Sequence, residues 1–436
     1  MENRLPKVLV ISSVDPFVGP AIVGLNHYNA IKKGGCEVDF LTKYPVDGHP
    51  EFISIYDKKP SRPSLLRRVR TKLFKKLKIG VLNRQTPGHA FFYEKETEPT
   101  VPVEDVINKI NKPYDLVIVV FWQGLLSFET IEQIYDKLHC QIQILGVDYS
   151  QMSGGCHFTG DCQRYQTGCG FCPGIVSNKE NDFTRFNVEY RKRVYARVKP
   201  IVYGNSYMNS FYHRSYLLKD YNRLEVVYPL SDNEKYQPLD ASIFKTKYNI
   251  GIEKKFIILF GCQHLKDSRK GMTYLLDALN HFYKSLTCEE QKKVLLVIIG
   301  HDIEPIKDRL LFDYQYLGYV KADDLPGIYS MSSVFLSPSV NDAGPSMVNQ
   351  AMSCGTPIVS FEMGTALDVV KGRGTGYCAK LKDSGDFAKG ISSIYHLSEI
   401  EYSDLRTRCR KVALELTSDE VFFNNFIRVY EKYKNM

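Results

Sequence analysis

Two adjacent cations, Arg269 and Lys270, stand where an apolar run gives way to an amphipathic stretch. The segment reads LFGCQHLKDSRKGMTYLLDAL (259–279), and this order predicts a strand, a polar loop and a helix. Cations are unfavourable at the positive end of a helix dipole, so a cap does not explain the pair. A bound diphosphate explains it, because Arg grips two oxygens while Lys supplies a point charge. The alternative is an ordinary solvated loop.

A second polar loop lies within SPSVNDAGPSMVNQAMSCGTPIVSFEMG (337–364). A strand is predicted to end at Ser339, and a helix to begin near Pro345–Ser346, because Pro is tolerated in a first turn. Gly355 is expected to end that helix. The backbone N–H groups of such a helix start can bind anions and hydroxyls. The simpler interpretation is a turn that binds nothing, since such turns occur in every α/β protein.

A third cluster, GVDYSQMSGGCHFTGDCQRYQTGCGFCPG (146–174), contains four cysteines. Cys156, Cys162, Cys169 and Cys172 match the ligand count of a structural zinc site, and the last two form a C-x-x-C pair. The first two are separated by five residues, which is wider than is usual in zinc sites. Zinc, redox-labile disulfides and plain reduced thiols are therefore three open interpretations.

The elements that must position these loops follow from nine apolar runs that alternate with helix-like stretches. Continuous apolar runs are typical of strands buried on both faces, and their alternation with helices predicts parallel sheets. The runs are 8–12, 38–42, 116–121, 142–147, 200–204, 256–261, 294–300, 334–339 and 357–361. The series pauses at 224–238 and then restarts, which predicts two doubly wound domains. We predict a first domain over 1–230, a second over 231–414, and a C-terminal helix within 415–436 that packs on the first.

The composition is that of a soluble globular protein, with 436 residues, of which 44% are hydrophobic and 24% charged. No window holds the ~18 uninterrupted apolar residues of a membrane-spanning helix, and no cleavage site follows the first apolar run. We therefore expect a cytoplasmic protein whose 11 cysteines are reduced. The net charge of +8 could serve phosphates or an anionic membrane, and we expect no nucleic-acid partner.

A basic segment, SLLRRVRTKLFKKLKIG (64–80), lies where the strand pattern is missing. Apolar residues recur there at helical spacing among lysines and arginines: Leu65, Leu66, Val69, Leu73, Phe74 and Leu77. Such a helix can lie on an anionic membrane surface. It can equally be a solvated surface helix whose apolar stripe packs on the core.

The segment after Val340 resembles the family 4 glycosyltransferases, which are retaining enzymes of the GT-B fold. Their signature is two acidic residues separated by seven others, then a run similar to AMACGTPVV. Asp342 takes the first position, Gln350 the second, and AMSCGTPIVS follows. The family uses its second acid to hold the donor ribose. An amide can accept one hydrogen bond there and donate others.

The resemblance covers about the whole chain. Segment 146–174 resembles a bacterial exopolysaccharide and capsule subgroup, with Asp148 at the family's Asp and Val147 where the family has a His beside the transferred sugar. The glycine loop containing Gly19 resembles the loop that faces the donor phosphates. The family's phosphate-binding Lys matches Lys270, and Arg269 is expected to replace an earlier Arg. The donor-binding residues implied by the resemblance are Gly19, Arg269, Lys270, Tyr319, Val320, Asp342, Gly344, Pro345, Ser346, Met347 and Gln350.

The resemblance implies a GT-B fold, with two Rossmann-like domains facing a cleft. It implies sugar transfer with retention from a UDP- or GDP-sugar to a saccharide or lipid-linked saccharide, at the inner face of the cytoplasmic membrane. The implied catalytic residues are Asp342, Lys270, Arg269 and Asp148. No metal cofactor is expected for catalysis, because cations and helix dipoles can stabilise the leaving diphosphate.

Two other functions are compatible with the same motifs. A nucleotide-sugar epimerase on this fold would turn over its donor without an acceptor. A non-catalytic nucleotide-sugar binding subunit would bind without turnover, and Val147 and Gln350 favour it. An NAD-dependent enzyme is disfavoured, because no G-x-G-x-x-G follows the first strand.

Overall fold

The computed structural model describes residues 4–13, 16–17, 21–60, 65–86, 88–228 and 230–434, with side chains except those of 65–68 and 70. The chain forms two compact units. Unit 1 comprises Met1–Gly204, Met208–Val227 and Phe423–Met436, and unit 2 comprises Asn205–Tyr207 and Tyr228–Phe422.

Unit 1 is built on a seven-stranded parallel sheet with the order β3-β2-β1-β4-β5-β6-β7. Its strands are β1 Val8–Ile11, β2 Val38–Thr42, β3 Ile53–Ser54, β4 Leu116–Val119, β5 Gln141–Leu145, β6 Ile201–Gly204 and β7 Leu224–Val226. Its helices are α1 Ile22–Lys33, α2 Leu65–Lys76, α3 Val103–Lys109, α4 Phe128–Leu138, α5 Phe183–Val198 and α6 Ser206–Tyr212, the last beginning at the unit boundary. The strand order reverses beside β1, as in doubly wound folds.

Unit 2 repeats this plan with six parallel strands in the order β10-β9-β8-β11-β12-β13. Its strands are β8 Phe256–His264, β9 Val294–His301, β10 Tyr314–Gly318, β11 Val334–Ser337, β12 Ile358–Phe361 and β13 Gly376–Ala379. Its helices are α7 Ala241–Lys247, α8 Met272–Ser285, α9 Cys288–Lys293, α10 Leu325–Met331, α11 Ser346–Ser353, α12 Ala366–Val369, α13 Ser384–Tyr395 and α14 Glu399–Thr417. The order reverses beside β8, so the loops after β8 and β11 meet at the carboxyl edge of the sheet.

The predicted parallel α/β architecture is confirmed, and each of the nine apolar runs overlaps a strand. The central strands are buried on both faces; β1 and β4, for example, are buried throughout. The four strands that the sequence analysis missed are β3, β7, β10 and β13. Each of them is an edge strand of its sheet.

The last helix, α15 Asp419–Tyr433, begins at the end of unit 2 and packs against unit 1. Its residues Phe426, Val429 and Tyr430 are buried. The amide of Gln141 donates to the Tyr430 carbonyl at 3.2 Å. The buried Glu225 of β7 accepts hydrogen bonds from Lys432 Nζ at 2.6 Å and from the Tyr433 hydroxyl at 2.9 Å. Unit 1 is therefore completed by a late segment of the chain.

A buried ion pair joins α5 to the loop before α3. Arg191 Nε donates to Glu96 Oε1 at 2.6 Å, and their side chains are 1% and 0% exposed. Glu96 Oε2 accepts from the backbone N–H of Phe128 at 2.7 Å, at the start of α4. The Arg191 guanidinium also donates to the carbonyls of Ser150 and Ser153. One ion pair thus links four segments of unit 1, including the 146–174 loop.

The basic segment forms α2 and the turn after it, and four of its described apolar side chains are exposed, whereas Phe74 is partly buried. Val69, Leu73, Leu77 and Ile79 are 56%, 49%, 58% and 48% exposed, respectively. Within the described ranges, no helix combines the length and the apolar character needed to cross a membrane.

Candidate active site

The loops after β8 and β11 make a close backbone contact in unit 2. Gly271, the N-cap of α8, has a φ of +69°, and a Cβ there would lie 1.9 Å from the Pro338 carbonyl oxygen. Only glycine tolerates both the conformation and the contact. The Arg269 carbonyl accepts from the backbone N–H of Val340 at 2.8 Å. The contact brings the two motifs of the sequence analysis together.

Lys270 and Asp342 form an ion pair across these loops. The Lys270 ammonium donates to Asp342 Oδ2, and their side chains are 24% and 13% exposed. Asp342 Oδ1 accepts from the Gly344 backbone N–H at 3.2 Å. Burial alone would lower the pKa of Lys270, but the Asp342 carboxylate outweighs it and raises that pKa. Burial likewise opposes ionisation of Asp342, but Lys270 outweighs it and lowers the Asp342 pKa. Both groups are therefore charged at neutral pH.

Arg269 is held in the same turn by Asp267. Its guanidinium donates to Asp267 Oδ2 at 2.6 Å, and its backbone N–H donates to Oδ1 at 3.0 Å. This carboxylate fixes the turn that precedes α8. Two cations therefore stand side by side at the carboxyl edge of the sheet, where an α/β sheet binds ligands.

The predicted helix after the β11 loop is α11, which begins at Ser346 with Pro345 as its N-cap. Ser346 is exposed, whereas Met347 packs partly against the core. Gln350 is only partly buried, and its Oε1 accepts from the hydroxyl of the fully buried Tyr329 at 3.1 Å. Its amide nitrogen can still donate to a ligand hydroxyl.

Replacing Gln350 by Glu is expected to preserve or increase affinity for UDP and GDP. A carboxylate can accept from Tyr329 with one oxygen and from a ribose hydroxyl with the other. Gln350→Leu should weaken binding several-fold, because it removes the polar contact and leaves the Tyr329 hydroxyl unsatisfied. Calorimetry measures the UDP and GDP affinities of both variants. Tyr329→Phe is the control, because it removes the Tyr329 hydroxyl but keeps the Gln350 amide. Equal binding by all the Gln350 forms would exclude a ribose contact.

Three rings lie side by side at the carboxyl ends of β8, β9 and β10. Tyr319 lies on His301 with ring centroids 5.1 Å apart and planes at 7°, and His301 lies 5.4 Å from His264. Tyr319 is exposed, as suits a predicted nucleobase contact, whereas Val320 packs partly on the core. The two histidines were not singled out from the sequence.

In unit 1, Asp148 lies at the centre of a buried polar cluster. It is 2% exposed, and its Oδ1 accepts from the Ser150 backbone N–H at 2.8 Å. Its Oδ2 accepts from His157 Nδ1 and from Gln123 Nε2, the latter at 3.3 Å. The His157 ring stacks on Phe121 with centroids 5.4 Å apart. Asp148 therefore orients an imidazole and an amide, and its catalytic role stays a prediction.

The four cysteines of segment 146–174 line one small cavity, and none forms a disulfide. Burial raises the pKa of the Cys169 thiol to about 12 and that of Cys172 to about 11, so both are protonated at neutral pH. In the part of the chain that the structure covers, no three His, Cys, Asp or Glu side chains are arranged to hold a metal ion. The arrangement fits reduced thiols, and the zinc site at Cys156, Cys162, Cys169 and Cys172 stays a prediction.

Gly19, the remaining predicted phosphate contact, lies outside the described residues. The sequence analysis missed His157, Gln123 and Tyr329 as members of the sites. Only His157 had a local signal, because it lies in the GGCHF run beside the first clustered cysteine. Gln123 and Tyr329 reach their partners from other segments.

Comparison with known proteins finds one family model that matches the second half of the chain. Residues 244–415, which are most of unit 2, match the family described as Glycosyl transferases group 1. N-acetyl-α-D-glucosaminyl L-malate synthase of Bacillus anthracis is 25% identical over 259 residues, which are 57% of this chain and 62% of that protein. The N,N'-diacetylbacillosaminyl-diphospho-undecaprenol α-1,3-N-acetylgalactosaminyltransferase of Campylobacter jejuni is 25% identical over 51% of this chain and 58% of its own length. The chain thus spans about three fifths of the length of these relatives.

Solved structures share the fold over nearly the whole chain. Sucrose-phosphate synthase from Thermosynechococcus elongatus superposes with a TM-score of 0.64 at 16% identity, covering 98% of both chains. Anabaena Alr3699/HepE in complex with UDP-glucose superposes with a TM-score of 0.63 at 13% identity. The match covers 98% of this chain and all of that one. The predicted GT-B fold class, with two parallel-sheet α/β domains, is confirmed. The fold and the matched segment together support a place in the GT-B glycosyltransferase superfamily.

Proposed function

We propose that this chain is a retaining family 4 glycosyltransferase that moves a sugar from a nucleoside-diphosphate sugar to a saccharide hydroxyl. The observation that carries the proposal is the ionised Lys270–Asp342 pair beside Arg269, within the segment that matches Glycosyl transferases group 1. Such cations stabilise negative charge that develops on a leaving diphosphate, without a bound metal.

Each donor-site residue has a distinct task in this proposal. Lys270 and Arg269 bind the diphosphate, and the backbone N–H groups at the start of α11, near Ser346, add hydrogen bonds from a positive helix end. Asp342 keeps the Lys270 ammonium in place before the donor binds. Gln350 donates to the ribose.

A nucleotide-sugar donor and a lipid-linked acceptor are supported by the names of similar proteins. HepE has been solved in complex with UDP and with UDP-glucose. The C. jejuni relative is named for transfer to a saccharide on diphospho-undecaprenol. We assign the chain to exopolysaccharide or capsule assembly on the resemblance of segment 146–174 to that subgroup.

The function is tested by incubating the purified chain with UDP- and GDP-sugars and a panel of free and lipid-linked saccharides. Mass spectrometry should find one donor whose sugar moves to an acceptor, and NMR of the product should find the anomeric configuration of the donor. Transfer should be lost in Lys270→Ala. An inverted product would exclude retention, and the absence of transfer with every donor and acceptor would contradict the enzyme.

A non-catalytic nucleotide-sugar binding subunit is the second candidate. Val147 and Gln350 favour it, because the resembling enzymes have a His and an acid at these positions. Donor binding without turnover would identify this function, and conversion of the donor sugar without any acceptor would identify an epimerase.

We also propose that α2 docks the protein on an anionic lipid surface. Val69 and Leu73 of α2, and Leu77 directly after it, are about half exposed, so this apolar surface remains available for a membrane. The exposed Lys72, Lys75, Lys76 and Lys78 surround it, and complement anionic headgroups. Such a surface would bring the active site to a lipid-linked acceptor.

Vesicle flotation should therefore show binding that requires anionic lipid and falls with salt. Each Lys near such a surface contributes about 1 kcal/mol. The triple variant Lys72→Gln/Lys75→Gln/Lys76→Gln should then bind up to about a hundredfold more weakly at low salt. A control with the same charge change, Lys179→Gln/Lys199→Gln/Lys219→Gln, alters exposed lysines elsewhere in unit 1 and should bind nearly as the wild type does. Wild-type protein that ignores anionic vesicles would make α2 an ordinary surface helix.

A further inference from the structure

A short piece of chain, Asn205–Tyr207, follows β6 of unit 1 but belongs to unit 2. Two hydrogen bonds attach it there. Asn205 Nδ2 donates to the Ala343 carbonyl at 2.7 Å, and the Ser206 backbone N–H donates to Asp368 Oδ2 at 3.2 Å. Asn205 and Asp368 are only 4% and 6% exposed, so both anchoring side chains are buried. The sequence analysis singled out neither of them.

The Asn205 contact falls on the peptide group that joins Ala343 to Gly344, in the loop after β11. The carbonyl of this peptide accepts from Asn205, and its N–H donates to Asp342 Oδ1 at 3.2 Å. A carbonyl that accepts a hydrogen bond polarises its peptide group, which makes the N–H of the same group a better donor. Asp342 Oδ2 in turn accepts from the Lys270 ammonium. One chain of hydrogen bonds therefore runs from Asn205 to Lys270.

Close packing also holds this peptide group in place. A Cβ on Gly344 would lie 3.0 Å from Asn205 Nδ2, and a Cβ on Gly364 would lie 3.1 Å from Gly344 Cα. Ordinary carbon contacts are about 3.5–4.0 Å long, so both approaches are tighter than a side chain would allow. Loss of the Asn205 amide would remove a hydrogen bond from the buried Ala343 carbonyl, which is unfavourable.

We propose that Asn205 is a positioning residue of the donor site. It fixes the peptide group between Ala343 and Gly344, and this peptide orients the Asp342 carboxylate, which in turn orients the Lys270 ammonium. Asn205 is assigned no contact with the donor itself. Its part in donor binding rests on the proposed function, whereas its effect on the order of the loop is a property of unit 2 alone.

Calorimetry with UDP and GDP tests this role through a double-mutant cycle. Asn205→Ala is expected to lower the affinity by about two- to tenfold, which corresponds to the loss of one neutral hydrogen bond. Asn205→Asp keeps the shape of the side chain, but an ionised carboxylate cannot donate, so it should lower the affinity at least as much. In a Lys270→Ala background the same changes should have almost no effect, because residues that act through one network are not additive.

Asn187→Ala is the matched control. Asn187 is a buried residue of unit 1 whose amide also donates to a backbone carbonyl, that of Gly154 at 3.1 Å. Its loss should lower thermal stability but leave the nucleotide affinity unchanged. Hydrogen–deuterium exchange adds a measurement that needs no ligand. Residues 340–347 should exchange several-fold faster in both Asn205 variants than in the wild type, whereas β8 should exchange as before.

Three results would overturn the proposal: unchanged affinity in Asn205→Asp, equal losses of affinity in the wild-type and Lys270→Ala backgrounds, or unchanged exchange of 340–347 in both variants. Circular dichroism verifies that each variant is folded. A wild-type chain that binds neither nucleotide would contradict the proposed function instead, and the exchange measurement would still decide whether Asn205 orders the loop.

Discussion

Lys270→Ala is expected to lower the affinity of the chain for UDP or GDP by about ten- to a hundredfold. A hydrogen bond between a charged group and phosphate contributes about 1.5–3 kcal/mol, which corresponds to this range. The Lys270 ammonium is already oriented by Asp342, so little ordering is required when a diphosphate binds. Isothermal calorimetry with each nucleotide measures the change.

Lys266→Ala is the control for this experiment. Lys266 lies in the same loop but is 65% exposed and pairs with Asp302 at 3.1 Å, so its loss should change affinity less than twofold. Lys270→Ala also leaves the Asp342 carboxylate buried without its cation, which destabilises the fold. The double variant Lys270→Ala/Asp342→Asn should recover thermal stability without recovering affinity. A folded Lys270→Ala protein with unchanged affinity would remove this lysine from the donor site.

Arg191→Met is expected to lower the free energy of unfolding of unit 1 by about 3–5 kcal/mol. Removing one partner of a buried ion pair leaves the other charge uncompensated, and here Glu96 is fully buried. For a unit of this size, the melting temperature should fall by roughly 6–20 °C. Trp122 is fully buried in unit 1, and its ring lies 6.2 Å from that of Phe128, which the Arg191 guanidinium contacts. Its fluorescence therefore reports on this unit separately from unit 2.

Lys192→Met is the control for this variant, because Lys192 is exposed on the same helix. It should lower the free energy of unfolding by less than about 1 kcal/mol. The double variant Glu96→Gln/Arg191→Met removes both charges and should be more stable than Arg191→Met alone. A melting temperature within 2 °C of the wild type for Arg191→Met would show that the ion pair contributes little to unit 1.

The strands that could be predicted from the sequence are those buried on both faces. The run VDFLT becomes β2 with the predicted bounds, and VLLVIIG becomes most of β9. The four missed strands are all at sheet edges, where one side of the strand has no neighbour and polar residues are tolerated. β10, YQYLG, shows this pattern: its residues are exposed or only partly buried, so it lacks a continuous apolar run. The sequence signal for a strand therefore weakens as burial decreases, which it does at the edges of a sheet.

Most of the predicted donor residues came from the segments after β8 and β11, and the structure brings Lys270 and Asp342 of those segments together. The contacts that the sequence could not predict join residues with no distinctive local pattern. Tyr329 and Gln350 are an example, because each is an ordinary residue of its own helix. The Glu96–Arg191 pair connects positions 95 residues apart, and neither has a motif around it. Local spacing identifies loops that bind ligands, whereas buried pairs between distant segments are determined by the fold.

The return of α15 to unit 1 has a consequence for synthesis. On the ribosome, an N-terminal domain commonly folds before the rest of the chain emerges. Here Glu225 and Gln141 lack their helical partners until residues 423–434 have been made, by which time all of unit 2 has been translated. Unit 2 is therefore the first of the two that can reach its complete native structure. A fragment truncated at residue 227 would expose the surface that α15 covers.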